Sequence, residues 1–384
     1  YKVSAEEGVE GGLTIEDTCE FAKKLVANGA SAILTSRAVY ENVQYQISPA
    51  YEELALNVEN AAKIKKVINS AIPVSVVGRI HGYDMAEEIL ESGKADFITM
   101  GRPLLCDPEL PHKMKEGRFD EIREGLSCNQ GCADFLLAGK PITCMLNPVT
   151  GHEFETDLSP VANPKTVLVL GGGAGGMECA CIAATRGHKV TLVEKSDRLG
   201  GQMNYAKLPP HKELIGTYID FQTCELKRLG VDVKLNTVIT AEDVKAFGAD
   251  EVVLTVGSNP AELNVPSAYG KNVVTARDAL TGADVGKNVA AIGGGLVGIE
   301  TAEYLVKHGH NITIVEMQSD IGMDMGTISK MSMLEHYGKR DDFNYVTSAK
   351  LTAIGADRVT VERDGKSETL SGIDTRCHGC QLQA

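Results

Sequence analysis

The first 120 residues alternate between short apolar runs and segments in which apolar residues recur every three or four positions. Short apolar runs between turn residues predict buried strands, whereas the longer spacing predicts helices with one apolar face. The predicted strands are Lys2–Ser4, Ala32–Thr35, Pro73–Val77 and Phe97–Met100. A helix follows each strand, which is typical of a (β/α) barrel. Because a barrel has eight such units in about 250 residues, we expect half of one here.

Two of these helices carry specific signals. Thr14, with Asp17 three residues later, predicts a capped helix that ends at Asn28 and Gly29. A second helix is predicted from apolar residues at helical spacing, which are Leu54, Val58, Ala61, Ile64 and Ile68.

A different pattern begins at residue 167. An apolar run, the glycines of a Gly-x-Gly-x-x-Gly motif, a helical segment, a second apolar run and an acid follow in order: Val167–Leu170, Gly171, Gly173, Gly176, Lys189–Val193 and Glu194. The first glycine permits a tight turn, the second lets the backbone approach a pyrophosphate, and the third lets helix and strand pack closely. The N–H groups at the helix start favour phosphate, and the acid can accept hydrogen bonds from an adenosine ribose. This order predicts a dinucleotide-binding unit.

The same pattern occurs a second time, at Gly293, Gly295 and Gly298, with the acid at Glu316. In both copies the acid lies 23 positions after the first glycine (194 − 171 and 316 − 293). The alternative, two glycine turns in unrelated α/β units, does not explain the matched spacing. We therefore predict two dinucleotide-binding units.

Composition limits the partners. The net charge of −14 and the pI of about 5.2 argue against a nucleic acid or an anionic membrane. No apolar run approaches the roughly 20 residues of a membrane span. Ten cysteines without framework spacing favour a reducing compartment, so we expect a cytoplasmic protein with free or metal-bound thiols. The expected partner is a small-molecule substrate. The chain could also form a homo-oligomer. Because the chain begins with Tyr1, we expect it to be truncated.

Three cysteines, Cys128, Cys132 and Cys144, lie close together in the sequence. They are candidate metal ligands, and buried structural cysteines are the alternative. Several prolines in the segment Met145–Pro164 indicate a linker after them.

The Gly-Arg pairs at Gly78-Arg79 and Gly101-Arg102 follow the last two predicted strands of the first segment. They resemble the last two strand ends of the old-yellow-enzyme barrel, in its iron–sulfur NADH:flavin oxidoreductase branch. That branch includes 2,4-dienoyl-CoA reductase, enoate reductase, the bile-acid-inducible oxidoreductases and trimethylamine dehydrogenase. The resemblance implies that these four residues hold the FMN phosphate and that Lys2 replaces an arginine near the flavin pyrimidine ring. Alternatively, the pairs only terminate strands. The family's catalytic tyrosine and histidine have no counterpart here, so catalytic residues are unassigned.

In the same family, a Cys-x2-Cys-x3-Cys-x11-Cys segment binds a [4Fe–4S] cluster. Cys128, Cys132 and Cys144 match the last three positions, but the first is Gly125. Because such clusters usually have four thiolate ligands, this departure matters. The fourth iron could take water, a nearby acid or Cys106, or the site could bind nothing. We expect an iron–sulfur protein with a weakened cluster.

The turn from Arg198 to Gln202, Arg-Leu-Gly-Gly-Gln, resembles the turn beside the family's FAD. The first unit should therefore bind FAD, with ADP as in the trimethylamine dehydrogenase branch as the alternative. Val252–Gly257 resembles the strand that returns the chain between the FAD and NAD units. The second unit, from Asn288 on, should bind the nicotinamide nucleotide. Glu316, with no arginine after it, favours NADH over NADPH.

In the family, an apolar strand and a Gly-Asp turn would complete the FAD domain. No Gly-Asp dipeptide exists here, and Thr375 is followed by a polar segment that contains Arg376, Cys377 and Cys380. A Cys-x-x-Cys metal or redox pair is the alternative, but a zinc site would need a second pair. We interpret the tail as an artefact of a partial or frame-shifted reading frame, which leaves the FAD domain incomplete.

The expected fold class is α/β, with the C-terminal half of an old-yellow-enzyme-type (β/α)8 barrel followed by FAD- and NAD-binding Rossmann-like domains. The expected domains are residues 1–120 (FMN), 121–164 (cysteine segment and linker), 165–285 (FAD or ADP) and 286–384 (NAD). The resemblance implies electron transfer from NADH through FAD, [4Fe–4S] and FMN to an activated C=C bond. The substrate would be an enoate, an enoyl- or dienoyl-CoA, or a 3-oxo-Δ4 steroid. An amine dehydrogenase and a non-catalytic electron-transfer fragment are the alternatives.

Overall fold

The structure, a computed structural model, describes residues 1–260, 265–266, 270–378 and 382–383. The chain divides into two compact units, Tyr1–Thr156 with Gly326–Met333 and Asp157–Met325 with Leu334–Ala384. No helix in the described ranges is both long and apolar enough to cross a membrane.

The first unit contains one parallel sheet whose strands lie in chain order. The strands are β1 (Lys2–Ser4), β2 (Ile33–Ser36), β3 (Val74–Val76) and β4 (Phe97–Ile98). The helices are α1 (Ile15–Ala27), α2 (Val43–Gln46), α3 (Val58–Val67), α4 (Gly82–Glu91), α5 (Arg102–Cys106), α6 (Leu110–Glu116) and α7 (Ala133–Leu137). This arrangement confirms the predicted half-barrel order.

The apolar faces of these helices pack on the sheet. Ala22 of α1, Ile64 of α3 and Val76 of β3 are fully buried in one shared core. The predicted Thr14 cap is present, because its hydroxyl accepts a hydrogen bond from the Asp17 N–H at 3.2 Å. One assignment was wrong: Leu54 lies before α3 and is 42% exposed, so helical spacing alone overextended that helix.

The remaining elements begin with the first dinucleotide unit. In chain order they are β5 (Thr166–Leu170), α8 (Ala174–Thr185), β6 (Lys189–Val193), α9 (Met203–Ala206), α10 (Leu214–Arg228), β7 (Asp232–Lys234), α11 (Ala241–Phe247), β8 (Glu251–Leu254) and β9 (Asn259–Pro260). They continue with β10 (Val273–Thr275), α12 (Ala276–Leu280), β11 (Asn288–Ile292), α13 (Leu296–Lys307), β12 (Asn311–Val315), α14 (Thr327–Tyr337) and β13 (Phe343–Val346). The last are β14 (Lys350–Ile354), β15 (Arg358–Arg363), β16 (Lys366–Ser371), β17 (Thr375–His378) and β18 (Leu382–Gln383).

Two parallel sheets carry the glycine motifs. The first has the order β7-β6-β5-β8, and the second has the order β10-β17-β11-β12-β13. In each, the strand before the glycines lies between the strand that ends at the acid and a later strand, which is the Rossmann order. The strands β14, β15 and β16 form a separate antiparallel sheet. The second half of the chain therefore has the predicted pair of Rossmann-like units.

The segment after Thr375 differs from the apolar strand that a family member would have, yet it forms β17 between β10 and β11. Its side chains are buried although they are polar. The guanidinium of Arg376 donates to the carbonyl oxygens of Ala356 and Arg358 at 3.1 and 2.8 Å, and its Nε atom is buried without a partner. Backbone pairing with β10 on one side and β11 on the other thus makes this segment a strand, although its composition does not favour one. The reading-frame interpretation stays a prediction, and Cys380 lies outside the described residues.

Candidate functional site

A cavity of ≈ 320 Å³ lies at the carboxyl ends of β3 and β4 in the first unit. Gly78, Arg79, Gly101 and Arg102 all line it, so the structure brings together the four residues predicted to hold the FMN phosphate. Barrel enzymes place their active sites at this end of the strands. Lys2 is exposed in β1 and is not among the lining residues. The cavity suits the predicted phosphate site, while a flavin contact by Lys2 stays a prediction.

Gly78 and Arg79 form a backbone turn that few residues could adopt. Gly78 has φ 143°, and an added Cβ would lie 2.9 Å from the Nδ2 atom of Asn57. Arg79 itself has φ 49°. Its guanidinium donates to the carbonyl oxygen of Glu52 and to the Oγ atom of Ser127 at 3.4 Å. These contacts hold a positive charge at the cavity wall, as a phosphate site requires.

Arg102 is half-buried and places a second guanidinium at the cavity wall. It donates to the carbonyl oxygen of Ser48 at 2.9 Å and to the Oδ1 atom of Asn129 at 2.5 Å. Both acceptors are neutral. Burial lowers the pKa of Arg102, and the negative charges that Cys132 and Cys128 carry as thiolates act in the opposite direction. A half-buried cation with neutral partners fits an anionic group, either a phosphate or a thiolate-bound cluster. Asn129 was not found from sequence, since a lone Asn in a loop gives no signal.

The cysteine segment lies beside this cavity. Cys132 lines it, and Cys128, Cys132 and Cys144 are all partly buried. The Cys144 sulfur is hydrogen-bonded to Cys106, which lowers the pKa of Cys144 to about 6 and raises that of Cys106. Within the part of the chain that the structure describes, no group of three or more side chains could hold a single metal ion. Thiolates are nevertheless the usual ligands of iron–sulfur clusters, and Cys128, Cys132 and Cys144 are not in disulfides.

In the first dinucleotide unit, two glycines are required by packing and one is not. An alanine Cβ at Gly171 would lie 2.3 Å from the carbonyl oxygen of Thr255, and the φ angle there is 113°. A Cβ at Gly176 would lie 1.9 Å from the carbonyl oxygen of Gly171. A Cβ at Gly173 would meet nothing within 4 Å, so that position is open for the close approach of a pyrophosphate.

Glu194, at the end of β6, is held against the glycine turn. Its carboxylate accepts from the Gly172 N–H at 2.6 Å and from the Ser196 N–H at 2.8 Å. Burial raises the pKa of Glu194, but these hydrogen bonds together outweigh burial, and the net shift is downward. The carboxylate is therefore ionised and fixed, with lone pairs left for a ribose hydroxyl.

The predicted turn beside the flavin contacts the same loop. The Gly200 N–H donates to the Gly172 carbonyl oxygen at 2.8 Å, and a Cβ at Gly201 would lie 2.9 Å from the Cα of Gly173. Gln202 donates from its Nε2 atom to the Ser258 carbonyl oxygen at 3.1 Å. Arg198 is exposed. The turn thus forms one wall of the first site, and Arg198 reaches solvent.

The second dinucleotide-binding unit repeats this geometry. A Cβ at Gly298 would lie 1.8 Å from the carbonyl oxygen of Gly293, whose φ angle is 99°. Glu316 accepts from the Gly294 N–H at 2.6 Å and from the Gln318 N–H at 2.7 Å. The two predicted sites are therefore equivalent in their backbone.

One residue of the second site was not found from sequence. Asp324 accepts from the Leu296 N–H at 2.9 and 3.1 Å, at the start of α13. Its carboxylate lies 3.0 Å from where a Cβ of Gly295 would be. A negative group therefore lies at the helix start where a dinucleotide pyrophosphate would bind. Asp324 is 28 residues from Leu296 (324 − 296), so no local pattern reveals it.

We expect Asp324→Asn to strengthen NAD+ binding about three- to tenfold. The reason is that the exposed carboxylate competes with the pyrophosphate for the same N–H group, and a tenfold change corresponds to about 1.4 kcal/mol. Titration calorimetry at low and high salt would measure the dissociation constant. Asp364→Asn is the control, because it removes the same charge from a different place, the left-handed turn between β15 and β16. An unchanged or weaker affinity of Asp324→Asn would show that the carboxylate does not compete.

Comparison with known proteins agrees with this geometry. The Pyridine nucleotide-disulphide oxidoreductase family matches residues 165–377, and the NADH:flavin oxidoreductase / NADH oxidase family matches residues 1–121. The NADH oxidase of Thermoanaerobacter brockii is 41% identical over 346 residues, 88% of this chain and 53% of that protein. The cinnamate reductase of Clostridium sporogenes is 40% identical over 317 residues, 82% of this chain and 47% of that protein.

Among solved structures, a 2-naphthoyl-CoA reductase complex has a TM-score of 0.93 and 30% sequence identity, and covers 100% of this chain and 58% of its own. The chain therefore spans about half the length of the curated relatives it matches. Both family matches, the two Rossmann-like units and the half-barrel point to one conclusion. The chain belongs to the NADH:flavin oxidoreductase family whose members join an old-yellow-enzyme-type barrel to a pyridine nucleotide-disulphide oxidoreductase domain.

Proposed function

We propose that this chain is part of an NADH-dependent flavin oxidoreductase that reduces an activated C=C bond. The observation that carries the proposal is the combination of a cationic cavity at the barrel strand ends with two dinucleotide-binding units in one chain. The relatives named cinnamate reductase and 2-naphthoyl-CoA reductase support an enoate or a CoA thioester as the substrate. A 3-oxo-Δ4 steroid remains within the same chemical class.

When bound, the cofactors would supply the redox chemistry, in the order NADH, FAD, [4Fe–4S] and FMN. The residues of this chain bind and orient them. Arg79 and Arg102 would neutralise the FMN phosphate, and Cys128, Cys132 and Cys144 would hold the cluster. Glu194 would bind the FAD ribose and Glu316 the NADH ribose.

The test begins with cofactor content. Chain purified without oxygen and then denatured should release about one FMN and one FAD, because each flavin has one site. The chain should reduce an artificial dye with NADH as the electron donor. Cinnamate and crotonyl-CoA, added as substrates, would test whether it also reduces a C=C bond. ADP in place of FAD, with electrons accepted from an amine, would instead identify an amine dehydrogenase. Flavin-replete chain without any NADH-dependent turnover would identify a non-catalytic electron-transfer fragment.

A further inference from the structure

The structure brings a fourth cysteine to the three of the cysteine segment. Cys106 is the last residue of α5 and is only 2% exposed. A Cβ added to Gly125 would lie 3.8 Å from the Cβ of Cys106. The side chain of Cys106 therefore begins beside the point from which a cysteine at position 125 would begin.

The end of α5 is fixed on the side of residue 125. The buried carboxylate of Asp107 accepts from the ammonium group of Lys113 at 2.7 Å and from the Arg123 N–H at 2.9 Å. Arg123 is two residues before Gly125. These bonds hold Cys106 against the segment from which the fourth thiolate is absent, and do not depend on a bound cofactor.

The end of α5 is also fixed on the side of Cys144. The carbonyl oxygen of Leu105 accepts from the Thr150 hydroxyl at 2.7 Å and from the Nδ2 atom of Asn147 at 3.3 Å. Asn147 is three residues after Cys144. Cys106 is therefore held between the two segments that a bound cluster would join.

The other thiols are brought together by the backbone. The Thr143 N–H donates to the Gly131 carbonyl oxygen at 2.7 Å, and each residue precedes a cysteine, Cys144 and Cys132 respectively. The hydrogen bond from Arg102 to Asn129 holds the loop between Cys128 and Cys132. All four cysteines thus lie on segments tied to one another by direct hydrogen bonds.

We propose that Cys106 is the fourth thiolate ligand of a [4Fe–4S] cluster, together with Cys128, Cys132 and Cys144. The proposal rests on the proposed function for the presence of a cluster, and assigns the ligand that replaces the family cysteine at position 125. Each thiol releases its proton to solvent when it binds iron, and ligation transfers no electron. Each thiolate would bind a different iron, so the absence of a single-ion site in the described residues does not conflict with it.

Two nearby acids are already engaged. The carboxylate of Glu124 lies 3.5 Å from the Nδ1 atom of His81, and the carboxylate of Asp107 is bound by Lys113. A thiolate is also the ligand that iron–sulfur clusters normally take. The structure therefore favours Cys106 over Glu124 and Asp107 at the fourth iron.

The experiment compares four forms of the 384-residue chain, purified without oxygen: the wild type, Cys106→Ala, Cys106→Ala with Gly125→Cys, and Cys19→Ala. Cys19→Ala is the matched control, because it removes a buried thiol from the core of α1. Iron and acid-labile sulfide per chain are measured together with electron paramagnetic resonance spectra. Flavin content and NADH-dependent dye reduction are measured in parallel, so that loss of the proposed function is seen separately.

We expect about four irons per chain in the wild type and in Cys19→Ala. Cys106→Ala should lose about one iron per cluster, give the spectrum of a three-iron cluster, or lose the cluster entirely. Gly125→Cys should restore the four-iron form, since its Cβ has ordinary contact distances. The proposal is overturned if Cys106→Ala keeps four irons and an unchanged spectrum. It is equally overturned if flavin-replete wild type has no cluster, or a Cys106–Cys144 disulfide instead.

Discussion

Replacement of Gly171 by alanine is expected to lower the affinity for FAD by about a hundredfold or more. Gly171 has φ 113°, and an alanine Cβ would lie 2.3 Å from the carbonyl oxygen of Thr255 in the strand-end segment beside it. Relief of this contact would shift the turn between β5 and α8 or the backbone that follows β8. Because that turn presents the N–H groups to the pyrophosphate, a displaced turn loses the site. Flavin released by denaturation, quantified per chain, measures the effect.

The same substitution should destabilise the domain. A left-handed backbone angle in a non-glycine residue costs about 1–3 kcal/mol, and the steric contact adds to it. A loss of this size lowers the melting temperature by about 2–12 °C in a domain of about 200 residues. Thermal unfolding followed by circular dichroism would measure it.

Gly175→Ala is the matched control for Gly171→Ala. Gly175 lies in α8, and an added Cβ would meet nothing within 4 Å. Alanine in a helix is more stable than glycine by about 0.5–1 kcal/mol, so the melting temperature should hold or rise slightly. If Gly171→Ala kept stoichiometric FAD and the wild-type melting temperature, the geometric account of this glycine would be wrong.

Sequence prediction was accurate for strands buried on both faces. Lys189–Val193 was predicted with its observed bounds, and Val167–Leu170 missed one residue of β5. Strands of a covered parallel sheet are apolar throughout, so a continuous apolar run marks them directly. Helical periodicity was less reliable, because Leu54 continued the spacing of α3 without belonging to the helix.

Prediction from the sequence failed where contacts between residues far apart in the chain determine the structure. The strand character of Thr375–His378 comes from pairing with β10 and β11, against polar side chains that predict no buried strand. Asp324 reaches the start of α13 through the tertiary fold alone. Cys106 was one of several candidates for the fourth iron, but its proximity to Gly125 depends on the bonds of Asp107, which join α5 to Arg123. None of these contacts has a local signature, whereas the glycine motifs do, because their backbone requirements are local.

We expect the second dinucleotide unit to bind NAD+ about a hundredfold more tightly than NADP+. Glu316 lies at the end of β12 with its carboxylate fixed by the N–H groups of Gly294 and Gln318 at 2.6 and 2.7 Å. A carboxylate at this position accepts a hydrogen bond from a free ribose 2′-hydroxyl and repels a 2′-phosphate. Since it is held in place, it cannot turn away to relieve the repulsion. Dissociation constants for NAD+ and NADP+, with kcat/KM for NADH and NADPH in dye reduction, measure the preference.

A variant at the neighbouring residue tests the cause. Met317 is exposed, and Met317→Arg places a cation where a 2′-phosphate would lie, as in sites that accept NADP+. It should raise NADP+ affinity about tenfold, which corresponds to about 1.4 kcal/mol, and leave NAD+ affinity nearly unchanged. Leu13→Arg is the control. It adds the same charge to an exposed position of the first compact unit, and it should change neither the NAD+ affinity nor the NADP+ affinity. A wild-type preference for NADPH would contradict the assignment of Glu316 as the residue that selects the nucleotide.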